Sequence, residues 1–269
     1  MNKESFQFGP ITTQFFAWIQ AKKINIVKQG DVTRVLNISD NQERTLLYRL
    51  NKSKLIIRLF RGIYLVPDRI PPGGKWSPDR YIVLFQFIQN MGIKKYQVTG
   101  LEAFNRHGFT SQIPQMISIY NDKISGIKTI AENKYQFIKV TPERIGNTID
   151  IQLKNEGDKI LIGSMARIIF DAIYDYYRFS SLPDAYDWLI EIKKNKEVIL
   201  ELVNITCNIG NVASKRRVGF IIDKVLKLDL RITNKLSKSL TKNVKAIQLV
   251  PNKKWSGKID RKWGIIDNV

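Results

Sequence analysis

Cysteine and histidine are almost absent: Cys207 and His107 are the only ones in 269 residues. A single cysteine excludes an intrachain disulfide and a cysteine-cluster zinc site, and it suits a reducing compartment. A single histidine excludes a histidine pair around a metal. Beside Gly108, His107 reads as a structural residue. No apolar run approaches the roughly 18 residues that span a bilayer. The opening stretch MNKESFQFGPITTQFFAW has no basic region leading into an apolar core, so a cytoplasmic protein without a signal peptide is expected. Acid is scarce as well: 24 Asp+Glu stand against 44 Lys+Arg, a net charge of +20 with a pI near 9.9. With 43% hydrophobic residues the chain can nonetheless bury a substantial core.

The excess charge is unevenly spread. Met1–Ile70 carries 12 basic and 5 acidic residues, Pro71–Ile192 carries 14 and 13, and Lys193–Val269 carries 18 and 6. A lysine-rich composition alone would colour the chain evenly. A near-neutral middle between two basic ends points to a polyanion partner, held through counterion release.

The first segment reads as helical, with Thr12 and Thr13 as caps and Phe15, Phe16 and Ile19 at helical spacing. Gly30–Asn37 reads as a short second helix with Val32, Val35 and Leu36 inward. Ser39 followed by Gln42 is a capping box that starts a third helix running to about Ser53. KLIIRLFRGIYLVP then gives two β segments broken near Phe60–Gly62. Residues 71–78 are so punctuated by proline and glycine that they read as a linker. Their GGKW is not a phosphate-binding loop, which needs G-x-x-x-x-G-K-[ST] between a strand and a helix. The expected organisation is α/β (α+β): a winged helix-turn-helix over 1–70, the linker, and a larger mixed domain over 79–269.

Helices are predicted over Asp79–Met91, Met165–Tyr177, Leu182–Lys194, Glu197–Asn208 and Arg217–Leu228. Gln97–Phe104 should begin as a strand and turn helical. Gln115–Tyr120, Lys128–Ile130 and Tyr135–Val140 are strand candidates, and the basic carboxy-terminal stretch reads as a hairpin.

Three helices followed by a hairpin is the order of a winged helix-turn-helix domain. On the third helix, Leu46, Leu47 and Leu50 cluster on one side with Glu43 at the flank. Asn41, Arg44, Thr45, Tyr48, Arg49 and Lys52 take the other side. Arginine can fork onto guanine, asparagine can bridge adenine, and threonine or tyrosine can reach phosphate oxygens. In the hairpin, Leu59, Ile63 and Leu65 form the apolar side, with Arg58 and Arg61 turned toward phosphate. Lys215, Arg216 and Arg217 read as either a basic helix start or a solvated face. A helix start is disfavoured for cations by the helix dipole and so points to an anion. With Lys253, Lys254 and Lys258 they are the candidate accessory phosphate contacts.

Catalytic alternatives are thinner. Asp122 with Glu132-Asn133-Lys134 has the residue types of a magnesium-dependent nuclease, although Asn133-Lys134 reads as a turn. Gly163-Ser164 with Asp171 and Asp175 has the residue types of a nucleotidyltransferase. Carboxylates four apart in a helical run, however, belong on a helix surface rather than at alternate strand positions. No cofactor or metal is expected, and no enzyme.

Taken in order, RLFRGIYLVP, PPGGKWSPDRY, YQVTGLEAFNRHGFTSQIP, IYNDKISG, ARIIFDAIYDYYRFSSLPDAYDWL, GNVASKRRVGFIIDKVL and KWGIIDN resemble the AbiEi-type antitoxins along nearly the whole chain. These are transcriptional regulators of type IV toxin–antitoxin, or phage-abortive-infection, systems. The resemblance implies a winged helix-turn-helix that represses its own operon at inverted repeats in double-stranded DNA. It also implies a carboxy-terminal domain that counteracts an AbiEii-type nucleotidyltransferase toxin without forming a stable complex. The alternatives are a metal-dependent DNA nuclease with a targeting helix-turn-helix and a plain repressor with no toxin partner.

Overall fold

The computed structural model describes residues 8–70, 75–153, 157–240 and 245–268; residues 71–74 of the expected linker lie outside them. The fold is mixed α+β and divides into two compact units. The first comprises Met1–Gly92 with Thr129–Asn133, and the second comprises Ile93–Lys128 with Lys134–Val269.

In the first unit, α1 (Pro10–Lys22) starts before the threonines expected to cap it, with Gly9 as its N-cap. Proline is at ease in a first helical turn, where its missing N–H costs nothing. A short strand β1 (Ile26–Lys28) follows, then α2 (Asp31–Leu36) and α3 (Asp40–Lys52). The hairpin is β2 (Ile57–Phe60) and β3 (Ile63–Leu65). Strand β3 lies in the middle of an antiparallel sheet, pairing with β1 through Val27 and Tyr64 and with β2 through Arg58 and Tyr64. Phe15, Phe16, Ile19, Val27, Val32, Leu46, Leu47, Leu50, Leu55, Ile56 and Val66 form one buried cluster. Helix α4 (Arg80–Asn90), capped by Asp79, is part of this unit, and its Phe87 stacks on Phe60 with ring centroids 5.0 Å apart.

The second unit is built on a sheet of strand order β6-β7-β5-β4-β9-β8. These strands are β4 (Tyr96–Thr99), β5 (Met116–Asn121), β6 (Gly126–Ile130), β7 (Asn133–Lys139), β8 (Thr148–Gln152) and β9 (Lys159–Gly163). Strand β4 pairs antiparallel with β5 and parallel with β9, so the sheet is mixed. Helix α5 (Gly100–Arg106) follows β4 directly. The helices α6 (Met165–Tyr174), α7 (Tyr176–Phe179), α8 (Asp184–Glu191), α9 (Lys196–Ile209), α10 (Val212–Phe220) and α11 (Leu230–Lys238) complete the helical part. Helix α6 is buried from Ala166 through Ile173, which makes it the centre of this unit.

The carboxy-terminal segment forms a small sheet in which β12 (Ile265–Asp267) pairs with β10 (Ile247–Gln248) and with β11 (Lys258–Asp260). It is not a loose tail. Trp263 and Ile265 are buried, and a Cβ on Gly219 of α10 would lie 2.0 Å from the Trp263 ring. Glycine at that position is what lets the indole lie against the helix backbone.

Candidate nucleic-acid interface

Helix α3 is fixed at its start by local chemistry. Ser39 Oγ accepts from the Gln42 N–H at 3.3 Å, and the Gln42 side-chain oxygen accepts from the Ser39 N–H at 2.8 Å. The two bonds satisfy amides that a helix start would otherwise leave unpaired. Below, Leu46, Leu47 and Leu50 are buried in the core. Above, Asn41, Arg44, Thr45, Tyr48, Arg49 and Lys52 are all exposed, with Tyr48 at 64%. Positions three, four, seven, eight and eleven after Asn41 lie on one helical stripe, so the structure gathers these six residues on a single face.

These six include three cations and no acid; Glu43 is turned the other way, and the exposed Asp40 stands at the first position of the helix, one turn before Arg44. The Glu43 side chain is buried, and its carboxylate accepts from the Gly30 N–H at 2.8 and 2.9 Å and from the Val32 N–H at 3.1 Å. Glu43 therefore caps α2 from α3 and locks the two helices together. Sequence reasoning placed Glu43 only at the flank. The signal that could have found it is the run Gly30-Asp31-Val32, a helix start with no side-chain oxygen of its own at the N-cap.

The hairpin carries the arginines outward. Arg58 and Arg61 are exposed, Leu59 and Leu65 are buried, and Ile63 is half-buried. The pairing of β2 with β3 shifts register between Arg58 and Phe60. The bulge keeps Leu59 inward, and the Arg58 Nε donates to the Phe60 carbonyl at 3.1 Å. The Arg58 N–H also donates to Asn51 Oδ1 at 2.9 Å, which joins the end of α3 to the hairpin. Gly62 turns the chain at φ +75°, a left-handed conformation that glycine tolerates. Lys28, Arg61 and Gly62 share the rim of an open hollow of about 550 Å³ beside the first turns of α2 and α3. Lys28 is a cation at this surface that the sequence reading did not single out.

The accessory residues divide. Lys253 and Lys254, in the loop after β10, and Lys258, in β11, are exposed, as is their neighbour Trp255 at 72%. Lys215 is half-buried. Arg216 and Arg217 are corrected: both are buried and spend their guanidinium groups on the chain itself. Arg216 Nη1 donates to the Lys245 carbonyl at 2.8 Å, and Arg217 Nε donates to the Leu249 carbonyl at 3.2 Å. They belong to α10, which starts at Val212 with Asn211 as its cap, so Arg217 sits in the last turn, where the dipole favours a cation. The apparent conflict with the dipole came from starting the helix too late.

Asp171 and Asp175 do not flank a helix surface. Asp171 is fully buried and accepts from Thr99 Oγ1 at 2.9 Å, Gln97 Nε2 at 3.2 Å and Arg167 Nε at 3.0 Å. Burial pushes its carboxyl above the ordinary value, against the pull of Arg167 and Arg144. Asp175 accepts from the Tyr120 hydroxyl and from Arg144 Nη2. The carboxylates are committed to guanidinium partners. Glu132 sits in a turn at φ +67°, not in a strand. Strand register opposes Lys134 to Met116 and Lys139 to Asn121. Asp122 therefore lies at the far end of β5 from Lys134, roughly 20 Å away at about 3.3 Å per residue. The nuclease constellation is not assembled. His107 Nε2 is 2.9 Å from the Gly163 carbonyl, a structural contact. Among the described residues no helix is long and apolar enough to cross a membrane.

No family model and no curated protein matches the chain. Among solved structures, the crystal structure of the RV2827C protein from Mycobacterium tuberculosis is similar, with a TM-score of 0.67 over 98% of this chain and 93% of that one. The two share 11% sequence identity, so the likeness is one of fold.

Proposed function

We propose that the first unit is a winged helix-turn-helix that binds double-stranded DNA, and that the protein is the autorepressing antitoxin of a type IV toxin–antitoxin operon. The observation that carries the DNA-binding half is the exposed face of α3. Six hydrogen-bonding residues stand on it with the one mid-helix acid withdrawn into the core. Supporting it are the element order helix-strand-helix-helix-strand-strand and the arginine-bearing turn of the β2–β3 hairpin. In this reading α3 lies in the major groove, where Arg44 and Arg49 read bases, and Arg58 and Arg61 rest on the backbone beside it.

The antitoxin half rests on the chain-long resemblance to AbiEi-type proteins. The second unit counteracts an AbiEii-type nucleotidyltransferase in the cytoplasm without holding it in a stable complex. Gel shifts on inverted repeats upstream of the protein's own gene test the first half. The double substitution Arg44→Ala/Arg49→Ala should lose at least tenfold in affinity while thermal stability is kept; unchanged affinity would remove α3 as the reading helix. Coexpression with the neighbouring nucleotidyltransferase tests the second half. Rescue of growth by the Arg44→Ala/Arg49→Ala variant would separate neutralisation from repression, whereas no rescue by the wild type would leave a plain repressor.

A further inference from the structure

A cleft of about 600 Å³ opens in the second unit between the end of β7, the turn that follows it, α6–α7 and the end of α9. Its size falls in the range of small-molecule sites. Its floor is rigid. Arg144 lies 3.9 Å from the centroid of the Tyr174 ring and pairs with Asp175 at 3.2 Å and Asp171 at 3.7 Å. Arg167 donates to the carbonyls of Arg144 and Gly146 and thereby fixes the turn that carries Arg144.

The walls are unevenly spent. Of the two carboxylates, Asp175 is consumed by Arg144 and Tyr120, which leaves the exposed Glu143. On the other side, the Lys139 ammonium and the Asn208 amide have no partner among the described residues, and Arg178 reaches only the neighbouring tyrosine hydroxyl, at 3.5 Å. Tyr177 presents a ring that is 67% exposed on the same rim, with the Arg178 guanidinium 5.6 Å from its centroid. Arg144 is neutralised by its two carboxylates, so the unspent cations are Lys139 and Arg178; they suit a phosphate, and an exposed aromatic ring beside them suits the flat face of a base.

The geometry points to this cleft as a binding site for a nucleoside phosphate, with Lys139 and Arg178 on the phosphates and Tyr177 against the base. The cleft belongs to the second unit and the proposal does not depend on what the α3 face binds.

Isothermal titration of the full chain at fixed ionic strength, with ADP, GDP, pyrophosphate, inorganic phosphate and adenosine as separate probes, tests it. A nucleoside diphosphate should bind saturably, one per chain, and at least tenfold more tightly than inorganic phosphate or adenosine. Lys139→Ala/Arg178→Ala and, separately, Tyr177→Ala should each weaken it at least tenfold. These positions are exposed, so the variants should keep the wild-type melting temperature. Arg44→Ala/Arg49→Ala should bind the diphosphate as the wild type does. Absence of saturable binding, or equal binding by the Lys139→Ala/Arg178→Ala variant, would overturn the site. Loss confined to the Arg44→Ala/Arg49→Ala variant would overturn it too, by moving the binding to the α3 surface. Pyrophosphate binding as tightly as ADP would overturn the nucleoside part.

Discussion

Both carboxylate oxygens of Glu43 lie within 2.9 Å of the Gly30 backbone nitrogen, so the acid of one helix serves as the cap of another. Glu43 is buried and Gly30 half-buried, and their bonds tie the start of α2 to α3, the part of the unit whose angle sets how α3 is presented. Glu43→Ala leaves the Gly30 and Val32 N–H groups without their acceptor. It should lower the stability of the first unit by about 1–3 kcal/mol, the cost of buried unsatisfied donors. Urea unfolding read by far-UV circular dichroism measures it, and Glu43→Gln should recover part of the loss. A neutral Glu43→Ala would mean that water satisfies these amides as well as the carboxylate does.

At the hairpin, Arg58 and Arg61 differ. Arg61 is exposed and its side chain has no bond among the described residues, while Arg58 is partly tied to the Phe60 carbonyl. On the DNA-binding reading, Arg61→Ala removes one phosphate contact and weakens binding alike on operator and random DNA. The slope of log K against log salt should become shallower by about 0.9. Arg44→Ala should instead narrow the gap between operator and random DNA. A salt titration of both variants separates the roles, and an unchanged slope for Arg61→Ala would take the hairpin off the backbone.

How legible these features were depended on their range. The capping box of α3, its two faces and the glycine turn of the hairpin are written within a few residues of one another, so spacing alone reveals them. Strands β1, β8 and β9 were not foreseen. Strand β1 has only three residues, and in β8 and β9 the side chains are covered or bared by neighbours far along the chain, which a local period cannot report. Arg216 and Arg217 are the sharpest case. In sequence they look like a basic patch, yet the carbonyls that bury them lie about thirty residues later. Charge is local information; burial is not.

The same segment decides how the basic carboxy-terminal surface can be probed. Truncation before Lys253 would remove Trp263, Ile265 and Ile266 from the core, together with the bond from Trp263 Nε1 to Asp223 at 2.8 Å. It should therefore unfold the second unit rather than trim a surface, and Trp263→Ala alone should cost about 3–5 kcal/mol. Replacing Lys253, Lys254 and Lys258 with glutamine should leave the melting temperature within a degree or two while reducing cooperative binding to a two-repeat operator. Wild-type cooperativity in that triple variant would make these lysines an ordinary solvated surface.

His107 gives the second unit a pH dependence. Burial holds its imidazole below the ordinary value of 6.5, while its Nε2–H donates to Gly163. The unfolded chain therefore takes up the proton at a higher pH than the folded one. The contribution is fully present above about pH 7. It declines as the pH falls through 6.5 and is lost once the folded pKa is passed. Urea unfolding at pH 7.5 and 5.5 should show the wild type losing more stability than His107→Gln. An equal loss in both would assign the acid sensitivity to other groups.

Arg167 and Asp171 form a buried ion pair in the second unit. Their side chains are 1% and 0% exposed, one helical turn apart, and they meet at 3.0 Å. Removing one charge strands the other in a low dielectric, and breaking such a pair costs about 3–5 kcal/mol. Arg167→Met should approach that figure, because the guanidinium also holds the carbonyls of Arg144 and Gly146. Asp171→Asn should cost less, since an amide oxygen still accepts from Thr99 and Arg144 keeps Asp175. The double variant Arg167→Met/Asp171→Asn should be markedly less unstable than the sum of its parts, because no charge is left unpaired between those two positions. Denaturation of the three variants and a double-mutant cycle measure the coupling. Strict additivity would show that each side chain acts through its own other partners and that the pair itself contributes nothing.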